Sequence, residues 1–171
     1  YMDAKGKYQE ALAIFANEKH PQQRIAEIDG LLQSMADKDA AYQAAITKAD
    51  AYYDQSEWEM SKTAYQDALE IKAEEGYPKT RIADIEAKLA AIAAQKAQYD
   101  ALIASADELF AAETYVDSKA KYQEALTILS NETYPVEQIA KIDALLKEMA
   151  DQEALYAQLI QSADATLLEK N

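Results

Sequence analysis

The sequence contains no cysteine, and it has only three glycines and three prolines among 171 residues. The absence of cysteine excludes disulfide bonds, thiolate catalysis and cysteine-ligated zinc sites. Because so few residues favour tight turns, a fold of many strands and reverse turns is disfavoured. The sequence also lacks an apolar run of the ~20 residues that span a bilayer, and no signal peptide is recognisable.

Positive charge is also scarce, with 17 basic against 31 acidic residues and a net charge of −14. The negative charge is evenly distributed along the chain, with a net charge of −4 in residues 1–57, −5 in 58–114 and −5 in 115–171. Such an acidic surface favours solubility and disfavours binding to nucleic acid or to an anionic membrane. Strong helix formers such as Ala, Glu, Lys and Leu dominate, which predicts an all-helical protein.

The main feature that is present is an internal repeat with a period of 57 residues. The segment YQEAL at 8–12 recurs as YQDAL at 65–69 and as YQEAL at 122–126. The copies align without a gap, which indicates that the spacing along the chain matters. We therefore expect an all-α chain of three tandem helical repeats, with the boundaries 1–57, 58–114 and 115–171. Because the chain opens inside a repeat, we expect it to be a segment of a longer protein.

Each repeat is predicted to contain one short and one long helix, because apolar residues recur at steps of three and four. The short helices are expected near 2–17, 58–74 and 115–131, and the long helices near 22–55, 79–112 and 135–168. Pro21, Pro78 and Pro135 are expected to start the long helices, since proline is favourable in a first turn. Ser56 and Thr114 are each followed three residues later by an acidic residue, which predicts capping boxes.

The apolar heptad seam of each long helix is interrupted at its midpoint by a charged residue: Asp39, Lys96 and Glu153. This pattern predicts that the first half packs against one neighbour, the second half against the next, and the middle is exposed. Two elongated architectures with coiled-coil packing remain open. One is a chain of small three-helix bundles, like a shortened spectrin repeat, and the other is a right-handed solenoid of helical hairpins.

Small and aromatic residues around the end of each long helix resemble the tetratricopeptide pattern. In one copy they are Ala106, Phe110, Tyr115, Ser118, Tyr122 and Ala125, and in the preceding copy Ala49, Trp58, Ser61, Tyr65 and Ala68. The resemblance covers about 34 residues of each repeat. It ends where that family has a proline and this chain has Ser130, so the concave groove of the family is not implied.

The fuller pattern, Tyr-x-x-Ala-Leu followed by Tyr-Pro-x-x-x-Ile-Ala-x-Ile, is similar to helical segments of large exported proteins of Bacteroidota. That similarity implies a periplasmic or cell-surface location and a binding or spacer role at the cell envelope.

Motifs for chemistry are scarce. His20, the only histidine, precedes a proline at the position of Tyr77 and Tyr134, which predicts a ring stacked on the proline. Asp37 and Asp39 lack the glycine and the final glutamate of a calcium loop. No nucleotide-binding or metalloprotease motif appears. We therefore expect no enzyme activity, no cofactor and no metal.

Most of the twelve tyrosines occupy repeated seam positions, which is typical of core residues. Tyr52, Tyr53 and Trp58 are the least repetitive aromatic residues, so we expect any partner-binding surface there.

Two repeated ion pairs are also predicted, Asp50 with Lys62 and Asp107 with Lys119. Each pair lies six residues either side of a turn between antiparallel helices.

These features favour a non-catalytic rigid spacer or protein-interaction scaffold within a larger, cell-envelope-associated protein. The alternative is a solenoid that binds a peptide or a carbohydrate through an exposed aromatic face. The expected partners are other proteins or flanking domains of the same chain, without nucleic acid and without membrane insertion.

Overall fold

The computed structural model describes residues 1–168, which form six α-helices and contain no strand. The helices are α1 (Met2–Ile14), α2 (Lys19–Asp54), α3 (Trp58–Ile71), α4 (Gly76–Ala111), α5 (Tyr115–Ile128) and α6 (Thr133–Leu168). They hold 89% of the described residues, so the predicted all-α class is confirmed. No helix in this range has an apolar stretch long enough to cross a membrane.

Short and long helices alternate as expected. The helices α2, α4 and α6 each have 36 residues, a length of about 54 Å at 1.5 Å per residue. Each runs unbroken through its charged midpoint, and Asp39, Lys96 and Glu153 are all exposed there. The predicted continuity of the long helices is therefore confirmed.

The three prolines each occupy the third position of a long helix. Within the first turn, a backbone N–H has no partner inside the helix, so proline loses nothing there. Pro78 and Pro135 are fully buried, which adds an apolar contact to the helix start. The prolines therefore lie in the first turn as predicted, and each helix begins two residues before its proline.

The turns from α2 to α3 and from α4 to α5 share one backbone geometry. Ser56 and Glu113 both have a φ of 59°, in the left-handed region. The amide of Glu57 donates to the carbonyl of Tyr52 at 2.9 Å, and the amide of Ser56 donates to that of Tyr53 at 2.9 Å. These two bonds form the Schellman motif that ends many helices.

The predicted capping boxes are wrong. Ser56 lies in the turn after α2, and the N-cap of α3 is Glu57, without a side-chain hydrogen bond. Thr114 is the N-cap of α5, but its side chain makes no capping bond either. These residues are used to close the preceding helix, so their side chains do not point at the first amides of the next one.

The chain divides into two compact units, Tyr1–Leu89 and Ala90–Asn171. The core of the first unit is formed by Ala49, Ala64, Tyr65 and Ile85, with Ile46, Tyr53, Trp58, Ile82 and Leu89 packed against them. The core of the second is formed by Ala106, Tyr122 and Ile142, with Ile103, Phe110, Tyr115, Ile139 and Leu146 around them. The division lies within α4, so the boundaries after residues 57 and 114 remain predictions from the sequence.

Candidate functional site

In the first unit, a carboxylate joins three consecutive helices. Asp50, near the end of α2, accepts hydrogen bonds from the hydroxyl groups of Tyr65 on α3 and Tyr77 on α4. The Tyr77 bond measures 2.7 Å. The two rings meet edge to face with centroids 6.0 Å apart. We call this arrangement the Tyr–Asp–Tyr joint.

The second unit contains the same joint, 57 residues further along. Asp107 on α4 accepts from the hydroxyls of Tyr122 on α5 and Tyr134 on α6, the latter at 2.8 Å. The two rings are again edge to face, at 6.1 Å. Each joint therefore uses one acidic side chain to connect the end of one long helix, the middle of the short helix and the start of the next long helix.

The electrostatics of the joints keep the buried tyrosines protonated. Burial, followed by the hydrogen bond to Asp50, raises the pKa of Tyr65 above its ordinary value. Burial and the bond to Asp107 raise the pKa of Tyr122 in the same way. A neutral tyrosine beside a carboxylate is a donor, so each joint carries one negative charge held by two neutral hydroxyls.

A buried serine lies beside each joint. Ser61 is fully buried, and its hydroxyl donates to the carbonyl oxygen of Ala49 at 2.9 Å. Ser118 is also fully buried and donates to the carbonyl of Ala106 at 2.8 Å. The small side chain allows the helices to approach closely, and the hydroxyl adds a bond between them. The only sequence signal for this role is the small residue of the tetratricopeptide-like pattern.

The predicted ion pairs are wrong, because the structure gives these lysines other partners. Lys62 Nζ lies 2.8 Å from a carboxylate oxygen of Glu86, and Lys119 Nζ lies 2.5 Å from one of Asp143. Lys5 makes the corresponding contact with Asp29. Each lysine thus pairs with the long helix that follows it, 24 residues further on, while Asp50 and Asp107 bind tyrosines.

Rotation about the helix axis explains the difference. Asp50 and Lys62 are level along the hairpin, but Ser61, one residue earlier, already faces α2. One residue turns an α-helix by about 100°, so Lys62 points away from α2 and towards α4. Tyr65 lies four residues after Ser61 and shares its face, so it reaches Asp50.

The joint of the first unit carries additional cationic and aromatic contacts. Arg81 Nε donates to the Tyr65 hydroxyl at 3.2 Å, and its guanidinium lies 3.7 Å from the centroid of the Tyr53 ring. The bond to Tyr65 is the main cause that raises the pKa of Arg81. The Tyr53 hydroxyl donates to Asp84 at 2.5 Å. The second unit has Phe110 and Gln138 at the positions of Tyr53 and Arg81.

The predicted partner-binding residues have different surroundings. Tyr53 and Trp58 pack edge to face at 5.2 Å, and Lys88 Nζ lies 5.4 Å from the Trp58 ring. Both residues are part of the packing around the first core. Tyr52 also contacts this core, but it lines an open groove as well.

The groove lies between α2 and α3 and has a volume of about 270 Å³. It is lined by Tyr52 and Lys48 from α2 and by Glu59, Met60, Thr63, Ala64 and Asp67 from α3. Met60 is half exposed, so together with the Tyr52 ring it offers a small apolar surface between charged groups. The groove could take a short apolar side chain or one face of a sugar ring.

Other candidate residues have structural partners. The ring of His20 packs edge to face against Tyr8 at 6.0 Å, as Tyr77 and Tyr134 do against their tyrosines. Asp37 accepts from Gln33 at 2.8 Å, and Asp39 lies 2.7 Å from Lys72 Nζ. Within residues 1–168, no group of three or more metal-ligating side chains converges.

Comparisons with models of known protein families, with curated proteins and with solved structures return no match for this chain. The resemblance to tetratricopeptide repeats and to exported Bacteroidota proteins therefore stays a prediction from the sequence.

Proposed function

We propose that this chain is a non-catalytic segment of three 57-residue helical repeats that acts as a rigid spacer or interaction scaffold. The observation that carries the proposal is the recurrence of the Tyr–Asp–Tyr joint. Both joints use the same three residue types, at positions 57 residues apart, with ring separations of 6.0 and 6.1 Å. A spacer needs such a recurring connection, because each added repeat must continue the one before it in a fixed way.

The chemistry of the joints supports a mechanical role. Their polar groups bind one another, and every buried side-chain nitrogen or oxygen in the described chain has a hydrogen-bond partner. A satisfied polar network rigidifies the groups that it joins. The tyrosine pKa values are raised, away from the neutral range in which general acids and bases operate.

The larger context is part of the proposal. The resemblance to helical segments of exported Bacteroidota proteins favours a cell-envelope-associated protein, in which the partners are flanking domains or other proteins. An acidic surface with a net charge of −14 is compatible with protein partners and repels nucleic acid.

Deletion of one repeat tests the spacer. Removal of residues 58–114 joins Glu57 to Tyr115 and leaves every remaining position in register. We expect this variant to fold with the helical fraction of the parent, and spin labels at residues 3 and 153 to lie closer together than in the parent. Deletion of residues 58–116, which is two residues out of register and so turns α5 by about 200° relative to α2, is the control and should be less stable than the register-keeping deletion. A register-keeping deletion that does not fold, or leaves the label separation unchanged, contradicts the proposal.

The groove beside Tyr52 favours a second candidate function, binding of a peptide or a carbohydrate. Its test is nuclear magnetic resonance titration with peptide and oligosaccharide libraries. Binding should shift the signals of Tyr52 and Met60, and Tyr52→Ala should weaken it at least tenfold. The matched control is Leu109→Ala, at the equivalent position of the second unit, which should leave binding unchanged. A site at Tyr52 is rejected if the ligands shift resonance signals throughout both units, or if they shift no signal at all.

A further inference from the structure

The groove between α2 and α3 is a part of the first unit that the second unit does not reproduce. The Tyr–Asp–Tyr joint recurs with the same residue types, whereas Tyr52 and Met60 of the groove are replaced by Leu109 and Asp117. A connection between repeats has to recur, because every repeat continues the one before it. A surface for an outside partner has no such requirement, so the groove is the place to look for one.

An ion pair that recurs in the other two short helices is missing at this groove. On α1 and α5 a lysine lies 2.8 and 2.7 Å from the carboxylate three residues later, in the pairs Lys7–Glu10 and Lys121–Glu124. On α3 the acidic residue is kept as Asp67, but Ala64 stands at the position of the lysine. Ala64 is buried and forms part of the groove wall. The substitution thus opens an apolar surface and removes a cation from beside Asp67.

No other basic residue replaces the missing lysine. The two lysines nearest to Asp67 along the chain have partners of their own, since Lys62 pairs with Glu86 and Lys72 pairs with Asp39. Within residues 1–168, the Asp67 carboxylate makes no ion pair. The groove therefore contains an exposed carboxylate at a position where the two sister helices hold a lysine ammonium group.

A second carboxylate lies at the other end of the groove. Glu59 and Asp67 both line it, and they are eight residues apart on α3, about 12 Å at 1.5 Å per residue. Glu59 also makes no ion pair among the residues that the structure describes. Between the two carboxylates lie the half-exposed Met60 and the ring of Tyr52. The groove is thus acidic at both ends and apolar in the middle.

We propose that the groove binds an extended segment of a partner protein that has two basic residues four positions apart and an apolar residue midway between them. In an extended chain these three side chains point the same way, and the outer two are about 13 Å apart. The basic groups pair with Glu59 and Asp67, and the apolar side chain covers Met60 and the Tyr52 ring. The occupant is argued from charge complementarity. The proposal deepens the peptide-binding candidate function, on which it rests, by naming the chemistry of the ligand.

Lys48 on the opposite wall gives the proposal a signed test. Its Nζ lies 5.9 Å from the centroid of the Tyr52 ring, and its charge repels a basic ligand. The second unit has Ser105 at this position, so the helix accepts a neutral residue there. Lys48→Ser should therefore tighten the binding of a basic segment, whereas it should weaken the binding of an acidic one.

Fluorescence anisotropy with a labelled nine-residue peptide tests the proposal on the whole chain. The peptide has arginine at its third and seventh positions, leucine at the fifth, and serine or glycine elsewhere. Ala64→Lys restores the lysine of the sister helices and should weaken binding about tenfold, because the new ammonium group pairs with Asp67 and fills the groove. Its control is Ala120→Lys, which adds the same charge at an exposed position of α5 and should leave binding unchanged.

A second variant keeps the shape of the groove. Asp67→Asn replaces an exposed carboxylate by an amide of the same size, so folding is preserved, and it should weaken binding about fivefold, the upper range for an exposed ion pair. The matched control is Glu124→Gln, at the equivalent position of the second unit, which should have no effect. Lys48→Ser should tighten binding about twofold to fivefold on the same basis.

A peptide of the same composition with its two arginines adjacent separates the proposed spacing from general attraction to an acidic chain. It should bind about fivefold more weakly, since only one arginine then reaches a carboxylate of the groove. The proposal is overturned if the first peptide does not bind at about 1 mM, the weakest affinity of interest. It is equally overturned if the rearranged peptide binds as well, or if the control variants weaken binding as much as Asp67→Asn does.

The outcome is distinguishable from that of the candidate binding function. If library ligands shift the signals of Tyr52 and the basic peptide does not bind, the groove is a binding site and the ligand named here is wrong. If neither binds, the binding function and the inference are both rejected. The spacer function is tested by the repeat deletion and is independent of these results.

Discussion

The hydroxyl of Tyr122 on α5 donates a hydrogen bond to the carboxylate of Asp107 on α4, fifteen residues earlier. Tyr122 is 1% exposed, whereas Tyr134, which binds the same carboxylate, is 41% exposed. The bond from Tyr122 is thus the shielded one of the two. Shielding from water strengthens a hydrogen bond to a charged group, so this bond should contribute more to the stability of the second unit.

Tyr122→Phe removes that hydroxyl and keeps the ring. We expect the free energy of unfolding to fall by about 1.5–3 kcal/mol, the usual contribution of a hydrogen bond to a charged group. Urea denaturation followed by circular dichroism measures the change. The matched control is Tyr156→Phe, at an exposed position, which should change stability by less than about 0.5 kcal/mol. Equal effects of the two substitutions would show that the joint contributes nothing.

The joints also predict sensitivity to alkali. The pKa of Tyr65 and that of Tyr122 are raised, mainly by burial, so the folded state holds these protons more tightly than the unfolded state. The resulting stability is fully present below the unfolded pKa of about 10 and is lost as the pH rises above it. The urea midpoint should therefore fall above pH ~10, and less steeply when both residues are replaced by Phe. If the urea midpoint of the double variant falls with pH as steeply as that of the parent, Tyr65 and Tyr122 are not the cause of the sensitivity to alkali.

The Schellman turn predicts a stabilising substitution. Ser56 has a φ of 59°, which costs a residue other than glycine about 1–2 kcal/mol, and glycine loses part of that advantage through its flexibility when unfolded. Ser56→Gly should therefore raise the free energy of unfolding by about 0.5–1 kcal/mol. The control is Gln55→Gly, where φ is −84°, and it should be neutral or destabilising. The thermal midpoint of Ser56→Gly should lie above that of the parent, and the midpoint of Gln55→Gly should not.

Double-mutant cycles distinguish the observed ion pair from the predicted one. Lys62 and Glu86 are both partly exposed, so their coupling should be only about 0.2–1 kcal/mol and should decrease with added salt. The cycle of Lys62 with Asp50 should give a coupling close to zero. A larger coupling to Asp50 than to Glu86 would overturn the arrangement described above.

Two fragments of equal length test which residues fold together. Residues 33–89 contain the whole first core, whereas residues 58–114 lack Ile46 and Ala49 from α2 and Asp50 of the joint. We expect the fragment 33–89 to be helical and to unfold cooperatively, and the fragment 58–114 to be mostly unfolded. Circular dichroism with thermal denaturation measures both. If the two fragments are equally stable, the experiment does not distinguish the 57-residue repeat of the sequence from the packing unit of the structure.

Helix type and position were predictable because the signals are local. The periodic apolar residues and the prolines identified all six helices, and the long ones begin within three residues of their predicted starts. The short helices end earlier than expected, at Ile14, Ile71 and Ile128, where the next residue is extended. No residue between these ends and the prolines forbids a helix, so the sequence contains no signal for the earlier stop.

The side-chain partners were less predictable because they depend on rotation about the helix axes. The recurrence of Asp50 and Asp107 correctly marked two important positions, but distance along the hairpin alone favoured lysine over tyrosine as their partner. Tyr65 and Tyr122 were predicted as core residues, and their rings are buried. Whether a buried ring also reaches a carboxylate is decided by the depth of packing, which a one-dimensional pattern does not contain.

The exposed middle of each long helix has a consequence for recombination. The residues from 90 to 98 on α4 are all exposed, so neither core depends on their identity. A crossover between two gene copies within the corresponding codons would leave both half-helices with their own complete set of contacts. Chains with more or fewer repeats could thus arise from unequal exchange without any change to a packed residue, provided that the exchange preserves the 57-residue register.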